Sequence, residues 1–170
     1  PNFFLIFRHK LVISYKVMKN KYLSLFIILL ITFIAPMIGN YVTTTFKEPW
    51  YSEIILPSFN PPSWVFAPVW STLYFLMSFA IWKVWIKSFE TKLLKVYFIH
   101  LFFNSTWSIV FFGFHLIGAA LVNLLIILIF IIILMKEYFF RDKISFYLMI
   151  PYLAWSSYAL ILNTSIFLLN

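Results

Sequence analysis

Three clusters of residues carry whatever chemistry this chain can do. The first is the stretch 50–74, WYSEIILPSFNPPSWVFAPVWSTLY. Trp50, Tyr51 and Phe59 stand on its proline-broken part, and Trp64, Trp70 and Tyr74 on the apolar part behind it. Proline fixes φ and removes a backbone donor, so Pro57, Pro61 and Pro62 favour a stiff extended loop that joins neither strand nor helix. Ser63 then stands where an N-cap would open the next helix. A stiff loop rich in flat rings at the mouth of a helix can cover a pocket for a flat apolar molecule. The same rings would also suit an interfacial belt, because Trp and Tyr settle at headgroup level.

The second cluster is His100, Asn104, Trp107 and Phe111, whose spacing places them on one face of a helix. An amide in hydrocarbon is costly unless paired. Asn104 should therefore point into a bundle, toward a guest or toward another helix. The third cluster, Tyr152, Trp155, Ala159 and Asn163, shares a similar face. Ala159 is small enough to let a bulky guest, or a neighbouring helix, come close.

What is missing narrows the chemistry. Glu48, Glu53, Glu90, Glu137 and Asp142 all fall in loops or at helix ends, so no carboxylate pair serves acid–base work or a proton relay inside a membrane. His9, His100 and His115 are scattered without metal-ligand spacing, and no metal residues are assigned. His100 alone lies well inside an apolar run; it suits a neutral hydrogen-bonded role, with axial contact to a bound metalloporphyrin as the alternative. The chain has no cysteine, which removes disulfides and thiolate chemistry. No phosphate loop, nucleophile elbow or dinucleotide fingerprint is present. Rings, amides and bends are binding equipment, and no catalytic residue is assigned on chemistry alone.

These clusters need elements to hold them. The 170 residues are 64% hydrophobic and 11% charged, against roughly 45–50% and about 25% in soluble domains. Five apolar stretches, 22–46, 63–86, 93–114, 117–135 and 145–169, are each long enough to span a bilayer. Unbroken runs such as LLIILIFIIILM at 124–135 lack barrel alternation, so the class is an all-α membrane protein, a bundle of five transmembrane helices. The long first connection, from 47 to 62, would act as its lid. The fourth stretch, with Asn123 as its only polar residue before Lys136, should face lipid. Pro36, Pro68 and Pro151 fall in or near the ends of spans, where a lost hydrogen bond can widen the space between helices.

The charge of +8 follows the same plan, because twelve of the thirteen basic residues fall on one side of a five-span topology and only Lys47 on the other. That puts the N-terminus in the cytoplasm and the C-terminus outside, and makes nucleic acid a weaker explanation of the charge than topology. Residues 1–21 form a basic tail ahead of the domain at 22–170. Within it, 1–17 look like an upstream addition, since MKNKYLSLFIILL from Met18 resembles an ordinary start. Lysine-rich, Ile/Phe/Asn-rich usage points to a microbial, bacterial cell membrane.

Three motifs now stand in order: WY….LP…PP…….W..LY from 50 to 74, N..WS..FFG from 104 to 113, and PYLAW…A…N from 151 to 163. In them, and over about residues 33–170, the chain resembles the translocator protein family, also called tryptophan-rich sensory proteins or peripheral-type benzodiazepine receptors. The resemblance implies a five-helix bundle, usually dimeric, with a pocket closed by the first loop and filled by porphyrin, haem or similar flat hydrophobic ligands; no further cofactor is required. By motif, Trp70 and Trp155 look like the paired pocket tryptophans and Asn104 like the amide that bonds ligand. Trp107 and Ala159 look like wall residues, and Trp50, Tyr51, Pro61 and Pro62 like the lid, with Phe59 where the family often has tryptophan. The implied function is a receptor, sensor or transporter for tetrapyrroles. The alternative is an enzyme of light- and oxygen-dependent porphyrin degradation through Trp70 or Trp155. The tyrosine and basic residue of the animal cholesterol motif do not follow Asn163, so specific cholesterol recognition is not expected.

Overall fold

The computed structural model describes residues 20–170; the readings made for the tail at 1–17 lie outside the described residues. Five long helices are each apolar enough to cross a membrane. They are α1 (Lys21–Phe46), α3 (Phe66–Ser88), α4 (Thr91–Ser108), α5 (Ile117–Arg141) and α6 (Lys143–Leu169), with a single-turn α2 (Trp50–Glu53) in the first connection. The spans pack as a closed ring in the order α1, α3, α6, α5, α4, around a main apolar core with a smaller cluster at one end.

Hydrocarbon supplies no driving force between apolar helices, so small residues and paired polar groups set the contacts. A methyl added at Gly39 on α1 would come 3.0 Å from Ser108 Oγ on α4, and one at Gly118 on α5 would meet the Phe167 ring of α6 at 3.0 Å. Thr32 and the Tyr97 hydroxyl pair at 2.8 Å between α1 and α4. Asn123 Nδ2 donates to Thr106 Oγ1 at 2.8 Å between α5 and α4. Asn163 Nδ2 donates to the Ile117 carbonyl at 3.1 Å between α6 and α5.

Three expectations change. Ser63 caps nothing through its side chain; it opens a 3-10 turn, Ser63–Val65, that leads into α3. The fourth span does not stop at 135: it runs on to Arg141, because the apolar run ends at Met135 but the helical hydrogen bonds do not, and Tyr138 in the added turns is fully buried. Nor does that span simply face lipid. One face, including Asn123, Leu124, Ile127, Ile131 and Leu134, is buried against α4 and α6, while Leu125, Ile129, Ile132 and Ile133 are exposed. A helix apolar all round hides from sequence which side is packed.

The end opposite the lid is tied by charge. Asp142, the single residue between α5 and α6, accepts from the Ser145 amide at 2.9 Å and so caps α6. Its nearly buried carboxylate also meets Lys87 at 2.5 Å and Lys83 at 3.8 Å, both on α3. Burial alone would raise this carboxyl, but Lys87, the Ser145 amide and Lys83 outweigh burial and hold it below its usual value. A depressed carboxylate contributes stability above its unfolded pKa, about 3.9, and loses it as pH falls through the folded value. Because both lysines reach solvent, Asp142→Asn should cost only about 1–2 kcal/mol at pH 7. Thermal unfolding of both proteins in detergent should show the gap closing below about pH 4; a gap that persists there would mean the ion pairs are not its source.

Candidate functional site

A polar chain crosses the middle of the bundle. Tyr74 on α3 donates its hydroxyl to Asn104 Oδ1 on α4. Asn104 Nδ2 donates to the Tyr152 hydroxyl on α6 at 2.9 Å, and that hydroxyl meets His100 Nε2 at 2.7 Å. All four residues are buried, His100 and Tyr152 completely. Either group can donate in the Tyr152–His100 bond, according to the tautomer of the imidazole, whose other ring nitrogen is Nδ1. That nitrogen finds no partner among the described residues. Asn104 points inward as expected, and here its amide is spent on two tyrosines joining three helices.

The tryptophans stand on this frame. Trp70 packs on Tyr74, ring centroids 5.6 Å apart, and meets Tyr152 edge-on at 6.2 Å. Trp155, three residues beyond Tyr152, contacts Phe66 edge-on at 5.9 Å and Tyr158 at 5.5 Å. Trp70, Trp107, Trp155 and Ala159 are all half-buried against the same apolar core, but Trp70 and Trp155 are not stacked on each other. Trp107 also belongs to the smaller cluster under the lid; it stacks on Phe111 at 4.9 Å, and its buried indole N–H has no acceptor among the described residues.

The first connection folds over this end. Its start is helical rather than extended: α2 lowers Trp50 and Tyr51 onto the end of the third span, where the chain widens into a π turn, Ile109–Gly113. That wider turn presents Phe111 edge-on to Trp50 at 5.4 Å and Phe112 to Tyr51 at 5.6 Å. Trp50 also lies flat on His115, 4.4 Å between centroids, and His115 Nε2 reaches the Phe46 carbonyl at 3.1 Å. Burial raises the Tyr51 phenol above its usual value; the Asn60 side chain pulls the other way and Glu48 adds to the rise, so the phenol stays protonated.

Further along, the Phe59 carbonyl accepts from the Tyr158 hydroxyl at 2.7 Å, and the Phe59 ring meets Tyr158 edge-on. Asn170 clasps Ile55 at both its N–H (2.9 Å) and its carbonyl (3.1 Å). Pro61 is half-buried and Pro62 exposed; Pro62 accepts from the Val65 amide at 3.0 Å, which turns the chain into α3. Sequence reasoning missed the anchors Tyr158, Asn170 and His115 and the hub role of Tyr152. Only the position of Tyr158, one turn after Trp155, gave a signal.

Rings fill the space beneath the lid: Trp50, Tyr51, Ile54, Leu56 and Phe66 pack with Trp107, Phe112 and Tyr158 around Phe111 and Leu162. A concavity of about 520 Å³ opens on the outside of the bundle, between Pro68, Val69, Thr72 and Leu73 of α3 and Pro151, Ala154 and Trp155 of α6. That volume falls within the roughly 300–1,000 Å³ of small-molecule sites.

A five-span ring with an aromatic, proline-bearing loop pinned over one end defines a class of all-helical membrane protein. The model of the TspO/MBR family matches residues 26–169, and the chain belongs to that family. It is 35% identical over 144 residues to a tryptophan-rich sensory protein of Cereibacter sphaeroides, covering 84% of this chain and 91% of the relative. It is 34% identical over 134 residues to the tryptophan-rich protein TspO of Archaeoglobus fulgidus, covering 78% and 87%. It is 33% identical over 139 residues to the human translocator protein, covering 76% and 82%.

Tyr152 holds two buried groups, Asn104 Nδ2 and His100 Nε2. Tyr152→Phe should strand Asn104 Nδ2 and His100 Nε2 and destabilise the protein by about 1–3 kcal/mol. Thermal unfolding in detergent checks this, and an unchanged midpoint would show that the chain of hydrogen bonds does not hold α3, α4 and α6 together.

Proposed function

We propose that this membrane protein is a receptor, sensor or transporter that binds porphyrin, haem or a similar flat hydrophobic molecule among Trp70, Trp107 and Trp155, beneath the lid. Family membership supports a receptor or transporter role in the bilayer. The observation that carries the ligand class is the pinned lid over half-buried rings from α3, the third span and α6, with acids kept to loops and helix ends. Large flat rings meet a planar guest with little loss of side-chain freedom and add stacking to burial. The unpartnered Trp107 N–H offers a donor to a carbonyl or carboxylate on the guest. At about 25 cal/mol per Å², a few hundred Å² of buried apolar surface suffices for micromolar affinity before ordering costs. Because the rings under the lid pack on one another, they must part to admit a guest.

Trp155→Ala removes one of the stacking surfaces and should weaken protoporphyrin binding about tenfold or more. A fluorescence-quenching titration on purified protein checks it, and an unchanged affinity would remove Trp155 from the site.

A second reading, light- and oxygen-dependent porphyrin breakdown, is favoured by one arrangement: Trp70 lies edge-on to Tyr152, whose hydroxyl meets His100 Nε2 at 2.7 Å. A tyrosine so paired can give an electron to an oxidised indole while its proton passes to the imidazole. Under illumination in air, protoporphyrin with the protein should then yield new absorption bands that disappear in Trp70→Phe. A Soret band that merely shifts would leave binding as the whole activity.

A further inference from the structure

We infer that the planar guest reaches its site sideways, out of the bilayer, through the groove between α3 and α6, with Trp155 as the movable partition; this rests on the binding reading above. The groove lies wholly within two membrane spans, so the phase in front of it is lipid. Pro68, Thr72, Pro151 and Ala154 are exposed along it, and buried Leu73 forms its floor. Its one side-chain hydroxyl is already satisfied, because Thr72 Oγ1 donates to the Pro68 carbonyl at 2.9 Å. Apart from the Trp155 indole N–H, the lining has no side-chain hydrogen bond to offer, which suits a hydrocarbon-soluble ring better than a headgroup or a polar peptide.

Trp155 belongs to both compartments. Its indole forms one wall of the groove, and the same ring touches Phe66 and Tyr158, the residue that holds the lid at Phe59. Trp155 therefore stands between the groove and the two rings it touches beneath the lid. The helix is loosened beside it, since Pro151 has no N–H to offer the Tyr147 carbonyl one turn earlier.

Entry from above meets more resistance. The Asn170 clasp on Ile55, the Tyr158 bond to Phe59, the Trp50–His115 stack and the seating of Tyr51 on Phe112 must all release together. Entry from the side needs the Trp155 indole to move and the rings behind it to part, but it leaves the Asn170 clasp on Ile55 and the seating of Trp50 and Tyr51 in place. A guest already dissolved in the bilayer, concentrated there by its own apolar surface, meets that easier route first.

The chain has no cysteine, so a pair introduced as Ile55→Cys with Asn170→Cys can be bridged by a short bis-maleimide to pin the lid shut. The groove is filled from either wall by Ala154→Phe or by Thr72→Phe. Protein in liposomes is mixed with protoporphyrin IX, association and release are followed by stopped-flow tryptophan quenching, and affinity is taken from equilibrium titration. The pinned lid should keep its association rate within about twofold. Either groove variant should slow association and release together by about tenfold, with affinity little changed. A pinned lid that abolishes association, or groove variants with unchanged rates, overturns the lateral route while binding stands. A wild-type chain that does not bind protoporphyrin at equilibrium overturns the binding reading itself, and the route with it.

Discussion

In hydrocarbon a polar group that lacks a partner has no water to fall back on, and the bundle is organised around that constraint. Its core contains tyrosines, asparagines, a histidine and serines, and the best-connected of them link different helices. Tyr152 is the point where this matters most: α4 supplies both of its partners, Asn104 and His100, and Asn104 in turn holds Tyr74 of α3. These bonds do not supply the bulk of the packing energy, which comes from the close-fitted apolar faces. They fix rotation and height, because sliding any of the three helices by a residue strands a buried donor or acceptor. Trp70 and Trp155 inherit their positions from this arrangement, the first by resting on Tyr74 and Tyr152 and the second by following Tyr152 on the same helix.

The two ends of the bundle are fastened by different chemistry. At the basic end, one nearly buried carboxylate joins the α5–α6 junction to two lysines of α3, and Arg141 meets Glu90 at 2.6 Å and Glu137 at 2.9 Å. The Arg141 pairs are about one-third exposed and add little; Asp142 adds more because it also caps a helix. The lid end is held mainly by neutral hydrogen bonds and ring contacts, each about 1 kcal/mol, with Lys47 3.7 Å from Glu48 and 4.7 Å over the Tyr51 ring. Local opening should therefore occur at the lid end first, which is where an aromatic site needs it.

Much of this was legible in the sequence, for identifiable reasons. Span number and class follow from hydropathy because a bilayer permits few solutions. The inward direction of Asn104 follows from the cost of a lone amide. Other features left no trace. Asn104 could equally have served a guest or another helix, and only coordinates show Tyr74 and Tyr152 at its two ends. Nothing in IVFFG announces a π turn, since the wider turn arises where Gly113 passes close to Val42 of α1. The one-turn helix at Trp50 precedes the prolines that stiffen the rest of the loop, so a reading built on those prolines extended the stiffness too far. Asp142 looked like an ordinary loop acid because its lysine partners lie more than fifty residues away.

Closed rings and an open flank belong together in this architecture. A permanently open aromatic cavity in a membrane would fill with lipid tails, and a guest would compete with the solvent itself. Packing Trp50, Tyr51, Phe66, Trp107 and Tyr158 on one another keeps that space dry and tail-free at the expense of having to part them later. The flat guest proposed above would part them because it returns stacking on both faces of what it separates, which a flexible acyl chain cannot do. On the proposed binding reading, the selectivity of the site would lie in planarity, with few polar contacts to the ligand. That accounts for the chemistry of the chain: acids confined to loops and helix ends, no thiol anywhere, and seven tryptophans in 170 residues.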